Sequence, residues 1–289
     1  MLTRLMLLLV RVFCMLPLSV LAPIGQGLGI AIYLFARERR HVARVNLQRC
    51  FPEWSAEQRQ KIILAHFRAT GRALLEQGIL WWASKERIER LVRIEGADIL
   101  DKGRDKPVIV LAFHFLGLEM GNIRLSAQYS GVSVYSNQKN PDFNRLLLHS
   151  RTRFGHSLLL SRQDGIRPVI KAMRQGRSLL YLPDQDFGPK DAIFAPFFGV
   201  PAATVTGLSR LARLTDARVV PFVTRQLPGA QGYVGRFYPA WENYPGDSVE
   251  ADTVRMNQFI EQRVLEMPEQ YFWMHKRFKT RPPGEASFY

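Results

Sequence analysis

The segment PVIVLAFHFLGLE, residues 107–119, decides the fold of this chain. Its apolar part, 107–113, predicts a β-strand, and the residues from 117 to 129 have the pattern of a helix. His114 stands directly after the strand. Because ligands in open α/β sheets bind beyond the carboxyl ends of the strands, this position makes His114 a candidate site residue.

The same alternation of strands and helices continues on both sides of this segment. Before it, a capping box at Ser55–Gln58 and apolar residues at helical spacing predict a helix to about residue 82, and a second helical patch covers 84–92. Further short apolar runs predict strands at 132–136, 157–160, 178–183, 217–224 and 232–238, and helices at 141–153, 164–175, 203–214 and 251–266. The pattern therefore predicts an α/β protein with a central, mostly parallel sheet flanked by helices.

Composition limits the classes of protein that this chain can be. Its 289 residues are 47% hydrophobic and 22% charged, which excludes wholesale disorder. Two cysteines cannot build a disulfide framework. The 40 basic and 25 acidic side chains give a net charge of +15, so an anionic partner is expected: nucleic acid, phospholipid headgroups or an acidic protein.

An uncharged stretch near the N-terminus, residues 12–36, predicts a membrane anchor. As a helix it would be roughly 37 Å long, more than the hydrocarbon core of a bilayer. Because Pro17, Pro23 and the glycines of GQGLG weaken a helix, a kinked span and an interfacial hairpin both remain open, and a cleaved signal peptide is the rival. Arginines directly after this stretch favour a cytoplasmic location for the rest of the chain. We expect residues 1–36 to be the anchor and 37–289 one domain.

His114 and Glu119 are the expected catalytic pair. A carboxylate one helical turn after the histidine can accept the Nδ1–H of the imidazole and leave Nε2 as a base. Spacing alone also fits a packed histidine beside a surface glutamate. No metal-ligand spacing and no nucleotide-binding or G-x-S-x-G motif is found, which favours a mechanism without metal or cofactor.

Two further groups of residues are candidates for binding. Asp184 and Asp186, after the strand at 178–183, can orient or bind a ligand, or can merely shape a turn. The segment YFWMHKRFKTR, 271–281, mixes aromatic side chains with cations that suit a lipid phosphate at the bilayer edge. Those cations are Lys276, Arg277, Lys279 and Arg281.

Taken together, these motifs resemble the late acyltransferases of lipid A biosynthesis, the lauroyl and myristoyl transferases of the lysophospholipid acyltransferase superfamily. The matching segments are HFLGLE (114–119), NP and RTRFG (140–155), LPDQDFGPK (182–190), FFGVPAATVTG (197–207) and EQYFWMHKRFKTRPPG (269–284). Their order and spacing make the resemblance specific, and it extends over the whole chain.

The resemblance implies a glycerolipid acyltransferase-like fold and an inner-membrane enzyme on the cytoplasmic face. Its donor would be acyl-acyl carrier protein and its acceptor a 3-hydroxyacyl hydroxyl of a Kdo-bearing lipid A precursor, with anionic phospholipid as a further partner and no nucleic acid. His114 would be the base, Glu119 its partner, and Asn140 and Arg153 candidate oxyanion or phosphate donors.

Two alternatives stay open at this point. One is a glycerolipid acyltransferase of the lysophosphatidate type, which shares the His-x4-acid site but not the WMHKRFKTRP segment. The other is a non-catalytic, membrane-tethered nucleic-acid-binding protein, which the charge and the aromatic residues of 271–281 would suit. Acyl chain length, the position acylated and the oligomeric state are not readable from the sequence.

Overall fold

The central element is a seven-stranded sheet that is parallel except for one pair of strands. The computed structural model describes residue 8 and residues 10–102, 105–136 and 140–289. Its strands are β1 (Val92–Glu95), β2 (Val108–Ala112), β3 (Gly131–Tyr135), β4 (Ser157–Ser161), β5 (Ser178–Tyr181), β8 (Arg218–Gln226) and β9 (Tyr233–Phe237), in the order β1-β9-β8-β2-β5-β3-β4. Among the described strands of this sheet, only the pair β8–β9 is antiparallel.

Helices cover the sheet and precede it. They are α1 (Leu18–Phe35), α2 (Arg37–Cys50), α3 (Ala56–Leu75), α4 (Gln77–Trp82), α5 (Lys85–Leu91), α6 (Ala97–Asp101), α7 (Leu118–Ser126), α8 (Pro141–Thr152), α9 (Arg167–Arg174), α10 (Gly207–Thr215) and α11 (Val249–Glu266). Short 3₁₀ turns lie at Arg162–Asp164 and Pro268–Gln270. The predicted fold class, a mostly parallel sheet flanked by helices, is confirmed.

The sequence patterns missed three strands. An antiparallel hairpin, β6 (Ala192–Phe197) and β7 (Val200–Val205), stands where a helix was expected to begin at residue 203. The helix begins instead at Gly207, because the chain turns at Phe198 and Gly199, both with positive φ, and pairs back on itself. The short edge strand β1 was also missed.

The apolar helix α1 packs against α3 through glycines. A Cβ on Gly29 would lie 2.1 Å from the carbonyl oxygen of Phe67, and one on Gly71 would lie 2.2 Å from the backbone nitrogen of Gly29. The GQGLG stretch was expected to weaken the helix, but α1 is continuous, and its glycines allow two helix backbones to touch.

By length and composition α1 is the one helix in the described part of the chain that could cross a membrane, and 28% of it is buried within the protein. Residues 1–7 and 9, which belong to the predicted anchor, lie outside the described residues.

Candidate active site

Two neighbouring strands bring a histidine and an aspartate together. His114 follows β2, and Asp184 follows β5, which pairs with β2 in parallel. One carboxylate oxygen of Asp184 accepts the backbone N–H of His114 at 2.9 Å, and the other lies 2.6 Å from Nδ1 of its ring. Asp184 is buried, whereas a quarter of the His114 side chain is exposed. The ring is thus held on one side and open on the other.

The charge of Asp184 sets the protonation behaviour of His114. Burial alone would lower the pKa of His114, but the carboxylate of Asp184, with a smaller contribution from Glu119, raises it above its usual value. Burial would raise the pKa of Asp184, and the His114 ring and its backbone N–H more than offset this, so the pKa of Asp184 is lowered. The carboxylate is therefore ionised, the ring donates Nδ1–H to it, and Nε2 is the basic atom.

This geometry corrects the expected role of Glu119. Its carboxylate does not accept Nδ1–H; it pairs with Arg151 of α8 at 2.6 Å. Glu119 lies in the first turn of α7 and lines the same cavity as His114 and Arg151. The sequence did predict Asp184 as a candidate orienting group. Its contact with His114, however, depends on the pairing of β2 with β5, which belongs to the tertiary structure and is not visible in the sequence.

A cavity of about 900 Å³ opens beside His114. Aliphatic side chains from several elements line it, among them Leu118, Val134, Leu147, Val169, Leu180 and Leu211. Four large apolar side chains of its lining are solvent-exposed: Val134, Ile166, Phe187 and Leu214. Four cations line it as well, Arg151, Arg162, Lys190 and Arg210, together with two acids, Glu119 and Asp191, which pair with Arg151 and Arg210. The cavity thus suits a ligand that is both apolar and anionic.

Asp186 has a structural role in its loop. Its carboxylate accepts hydrogen bonds from the backbone N–H of Gly188 and from the N–H and hydroxyl of Thr280, and its own N–H donates to Nε2 of His275 at 3.0 Å. Burial, aided by the charge of Arg277, lowers the pKa of His275 to about 4, so the ring is neutral and can accept. Asp186 therefore shapes its loop and joins it to the segment around residue 280.

The four cations of 276–281 differ in their accessibility. Arg277 is buried and donates to the Ala203 carbonyl at 2.8 Å and the Thr204 hydroxyl at 2.7 Å. The side chain of Arg281 is 5% exposed and donates to the Pro201 carbonyl at 2.6 Å. Both stabilise the β6–β7 hairpin, which corrects the expectation that they bind a lipid phosphate.

Lys276 and Lys279 are the accessible members of this group. Lys276 is partly exposed and pairs with Glu38 at 3.0 Å, and Lys279 is exposed. Three aromatic residues of the segment 271–281 are buried, namely Tyr271, Trp273 and Phe278, whereas Phe272 is partly exposed. The buried rings cannot stack on nucleic-acid bases, which weakens the aromatic part of the support for the nucleic-acid-binding alternative.

Asn140 and Arg153 do not line the cavity. The side-chain oxygen of Asn140 accepts the backbone N–H of Asp142 at the start of α8. Arg153 donates to the carbonyl of Ala83 at 2.6 Å, its guanidinium lies over the ring of Phe154, and burial lowers its pKa. The structure therefore does not bring these two candidate oxyanion or phosphate donors together with His114, whereas Arg151, two residues before Arg153, lines the cavity.

The segment after α11 completes the surroundings of His114. The carbonyl of His114 accepts the N–H of Phe272 at 3.0 Å, and the N–H of Leu116 donates to the carbonyl of Gln270 at 2.8 Å. Tyr271 forms an antiparallel bridge with Phe115. A distant part of the chain thus holds the loop that carries the histidine.

An imidazole base backed by a buried carboxylate, beside an apolar cavity lined with cations, defines a site suited to transferring a group to a hydroxyl of an amphiphilic anion. Within the described residues no cluster of three or more His, Cys, Asp or Glu side chains is arranged to hold a metal ion.

Comparison with known proteins gives the family. The model of the family described as bacterial lipid A biosynthesis acyltransferase matches residues 1–280. The lipid A biosynthesis lauroyltransferase of Escherichia coli K12 is 37% identical over 95% of this chain and 90% of its own length. The palmitoleoyltransferase and myristoyltransferase of the same strain are 35% and 34% identical, over 95% and 92% of this chain and 90% and 83% of their own lengths. The chain therefore belongs to the lipid A biosynthesis acyltransferase family.

Proposed function

We propose that this protein transfers a fatty acyl chain from acyl carrier protein to a 3-hydroxyacyl hydroxyl of a Kdo-bearing lipid A precursor, with His114 as general base. The observation that carries the proposal is the Asp184–His114 pair, whose open ring nitrogen faces an apolar cavity lined with cations. Family membership supports the acyl transfer and the lipid A acceptor. Together they favour this function over glycerolipid acylation.

In the proposed reaction, Nε2 of His114 takes the proton of the acceptor hydroxyl as its oxygen attacks the thioester carbonyl. The new C–O bond forms, and the C–S bond breaks as the intermediate collapses. The imidazolium then returns the proton to the leaving thiolate, so that no acyl-enzyme is needed. The ionised Asp184 stabilises the imidazolium and fixes the Nδ1–H tautomer.

Glu119 keeps a place in this proposal through its charge. Its carboxylate helps to raise the pKa of His114, and its ion pair with Arg151 positions a guanidinium inside the cavity. A cation there can stabilise the negative charge that develops on the carbonyl oxygen during attack. Arg151 thus takes the role that the sequence interpretation gave to Arg153 and Asn140.

The anionic groups of the acceptor are assigned to the other cations of the cavity. Arg162, Lys190 and Arg210 line it beside exposed apolar side chains, an arrangement that suits phosphates next to acyl chains. Lys276 and Lys279, outside the cavity, are proposed to contact phospholipid headgroups, together with exposed arginines of α2. These arginines also favour the cytoplasmic face of the inner membrane for the domain.

The exposed face of α9 is the proposed binding surface for the acyl donor. Arg167, Lys171 and Arg174 are exposed on this helix at spacings of four and three residues, so they share one face. They line a shallow groove with Leu214, which also belongs to the main cavity. We assign this basic surface to the acidic acyl carrier protein, because it would deliver the thioester beside His114.

Two measurements test the proposal. Lipid A from cells with and without the protein should differ in mass by one acyl chain; an unchanged lipid A would contradict the function.

With purified components, charge reversal of Arg167, Lys171 and Arg174 should raise KM for acyl-acyl carrier protein at least about tenfold and leave KM for acyl-coenzyme A within about twofold, since only the first donor brings an acidic protein. Reversal of Lys61, exposed on α3, is the matched control.

A further inference from the structure

We propose that helix α1 lies in the plane of one membrane leaflet and does not cross the bilayer. The inference rests on the proposed membrane location and concerns how the protein is held there. Its basis is the set of contacts that α1 and the residues before it make with the domain.

The first observation is that α1 runs side by side with α3, antiparallel to it. A Cβ on Gly25 would meet the backbone of Arg72 at 2.6 Å, and one on Gly29 would meet the backbone of Phe67. Further along, the side chain of Gln60 donates to the Tyr33 hydroxyl at 2.7 Å. One side of α1 therefore contacts α3 from Gly25 to Tyr33, and not at one end alone.

The second observation is that the residues before α1 are also fixed to the domain. Arg87 of α5 donates to the carbonyl of Leu16 at 2.7 Å and also to that of Cys14. A Cβ on Gly78 of α4 would lie 2.8 Å from the Cβ of Cys14. Both ends of α1 are thus held by the same folded unit.

A spanning α1 would therefore pull charged elements into the hydrocarbon. Helix α3 carries Lys61 and Arg68 on its exposed surface, and α5 carries Arg87. A cation at the bilayer centre is costly unless it is paired or reaches water. If α1 stays in the plane of the interface, α3 and α5 remain at the polar side and this cost does not arise.

The exposed face of α1 has the polarity expected of a helix that lies in one leaflet. Val20, Ile24 and Leu28, four residues apart, are exposed and share one side of the helix, and Phe35 is exposed at its end. Exposed Arg11 and Arg37 stand before and after this apolar face. An apolar stripe with cations at both ends suits the headgroup and acyl boundary of an anionic leaflet.

The depth of this stripe tests the inference. Variants Val20→Cys, Ile24→Cys and Leu28→Cys carry an NBD label in vesicles of phosphatidylethanolamine and phosphatidylglycerol, and nitroxide lipids report the label depth. An in-plane helix gives three equal, shallow depths. A spanning helix separates positions 20 and 28 by about 12 Å in depth, which would overturn the inference.

Controls come from the same chain. Lys102→Cys carries the label on an exposed side chain that follows α6 and lies near the start of β8, and it should not be quenched. Cys14 and Cys50 are buried, so the unsubstituted protein reports background labelling. Absence of quenching at all three stripe positions would mean that protein covers the stripe and would also overturn the inference.

Acyl transfer measured on the same vesicles separates this inference from the proposed function. Active protein with graded depths contradicts the in-plane helix alone. Inactive protein with equal shallow depths contradicts the proposed function alone.

Discussion

A single carboxylate determines both the position and the basicity of His114. Asp184 contacts the ring and the backbone of the histidine with its two oxygens. Because burial opposes protonation of the ring, removing this charge leaves burial as the dominant influence on its pKa.

We predict that Asp184→Asn lowers kcat/KM about 10²–10⁴-fold, because the amide cannot stabilise the imidazolium and can favour the wrong tautomer. The raised pKa of His114 must also fall, so the acid limb of the pH profile of kcat/KM shifts to lower pH. An unshifted limb would mean that another group is the base. Asp186→Asn, which alters the neighbouring loop without touching the ring, is the control and should leave the limb in place.

Arg277, which is buried, and Lys279, which is exposed, give a second prediction. Arg277→Gln should lower the free energy of unfolding by about 2–4 kcal/mol, since buried acceptors on β7 lose a charged donor. Lys279→Gln, at an exposed position, should change it by less than about 0.5 kcal/mol. Thermal melts compare the two. Similar stability in both variants, with a raised KM for the acceptor in Arg277→Gln, would restore the lipid-binding interpretation.

For single residues, the sequence predicted which side chains belong to the site better than it predicted which of them contact each other. His114 was placed at a strand end from local pattern alone, and Asp184 was recognised as a possible orienting group. Their contact, 70 positions apart, depends on the order β2-β5, which local patterns do not encode. Glu119, five residues from His114, was favoured because only local spacing was visible.

Among the elements, the glycines of α1 have unequal roles. A Cβ on Gly29 would meet backbone atoms of α3, whereas a Cβ on Gly27 would meet nothing within 4 Å. The two positions belong to the same helix, so their intrinsic preference for alanine is nearly equal.

We therefore predict opposite effects from two identical substitutions. Gly27→Ala should stabilise the protein by up to about 1 kcal/mol, because alanine favours helix. Gly29→Ala should destabilise it by about 1–3 kcal/mol, because α1 and α3 must separate. Melting temperatures in the same detergent provide the measurement. Equal effects at the two positions would show that α1 is not packed on α3 in this way.

Most elements were predictable because their patterns are locally consistent. The six predicted strands and the helices between them are confirmed, with ends moved by a few residues. The β6–β7 hairpin was missed because the middle of its second strand, VPAATV, has a proline and two alanines, residues that are depleted in strands, and because a true helix follows it. The edge strand β1 was missed because four residues, two of them charged, give little pattern.

At the scale of the whole molecule, the fold disfavours protonation of two histidines, the buried His66 and the half-buried His275. Burial lowers the pKa of His66 and of His275 to about 4. In the unfolded chain a histidine titrates near 6.5, so the unfolded state binds these protons first. Both groups therefore contribute stability that is present above pH 6.5 and is lost as pH falls toward 4.

We predict that the melting temperature falls steadily between pH 6.5 and 4. His275→Gln should flatten this dependence, because the amide oxygen can still accept the N–H of Asp186 and carries no proton-linked charge. His41→Gln, at an exposed position on α2, should leave the dependence unchanged. A pH dependence equal in all three proteins would contradict the assignment.

Because residues 270–272 hold the loop that carries His114, this loop obtains its last contacts late in synthesis. When residues 1–266 have left the ribosome, the apolar helix α1 and the nine strands of the described part of the chain are available, yet the loop at 114–116 lacks its partners. If His114 acts as proposed, it becomes competent only after residue 272 has left the exit tunnel. We therefore expect an incomplete chain to reach the bilayer surface without consuming the proposed thioester, and a chain stopped after Glu266 to bind vesicles but transfer nothing.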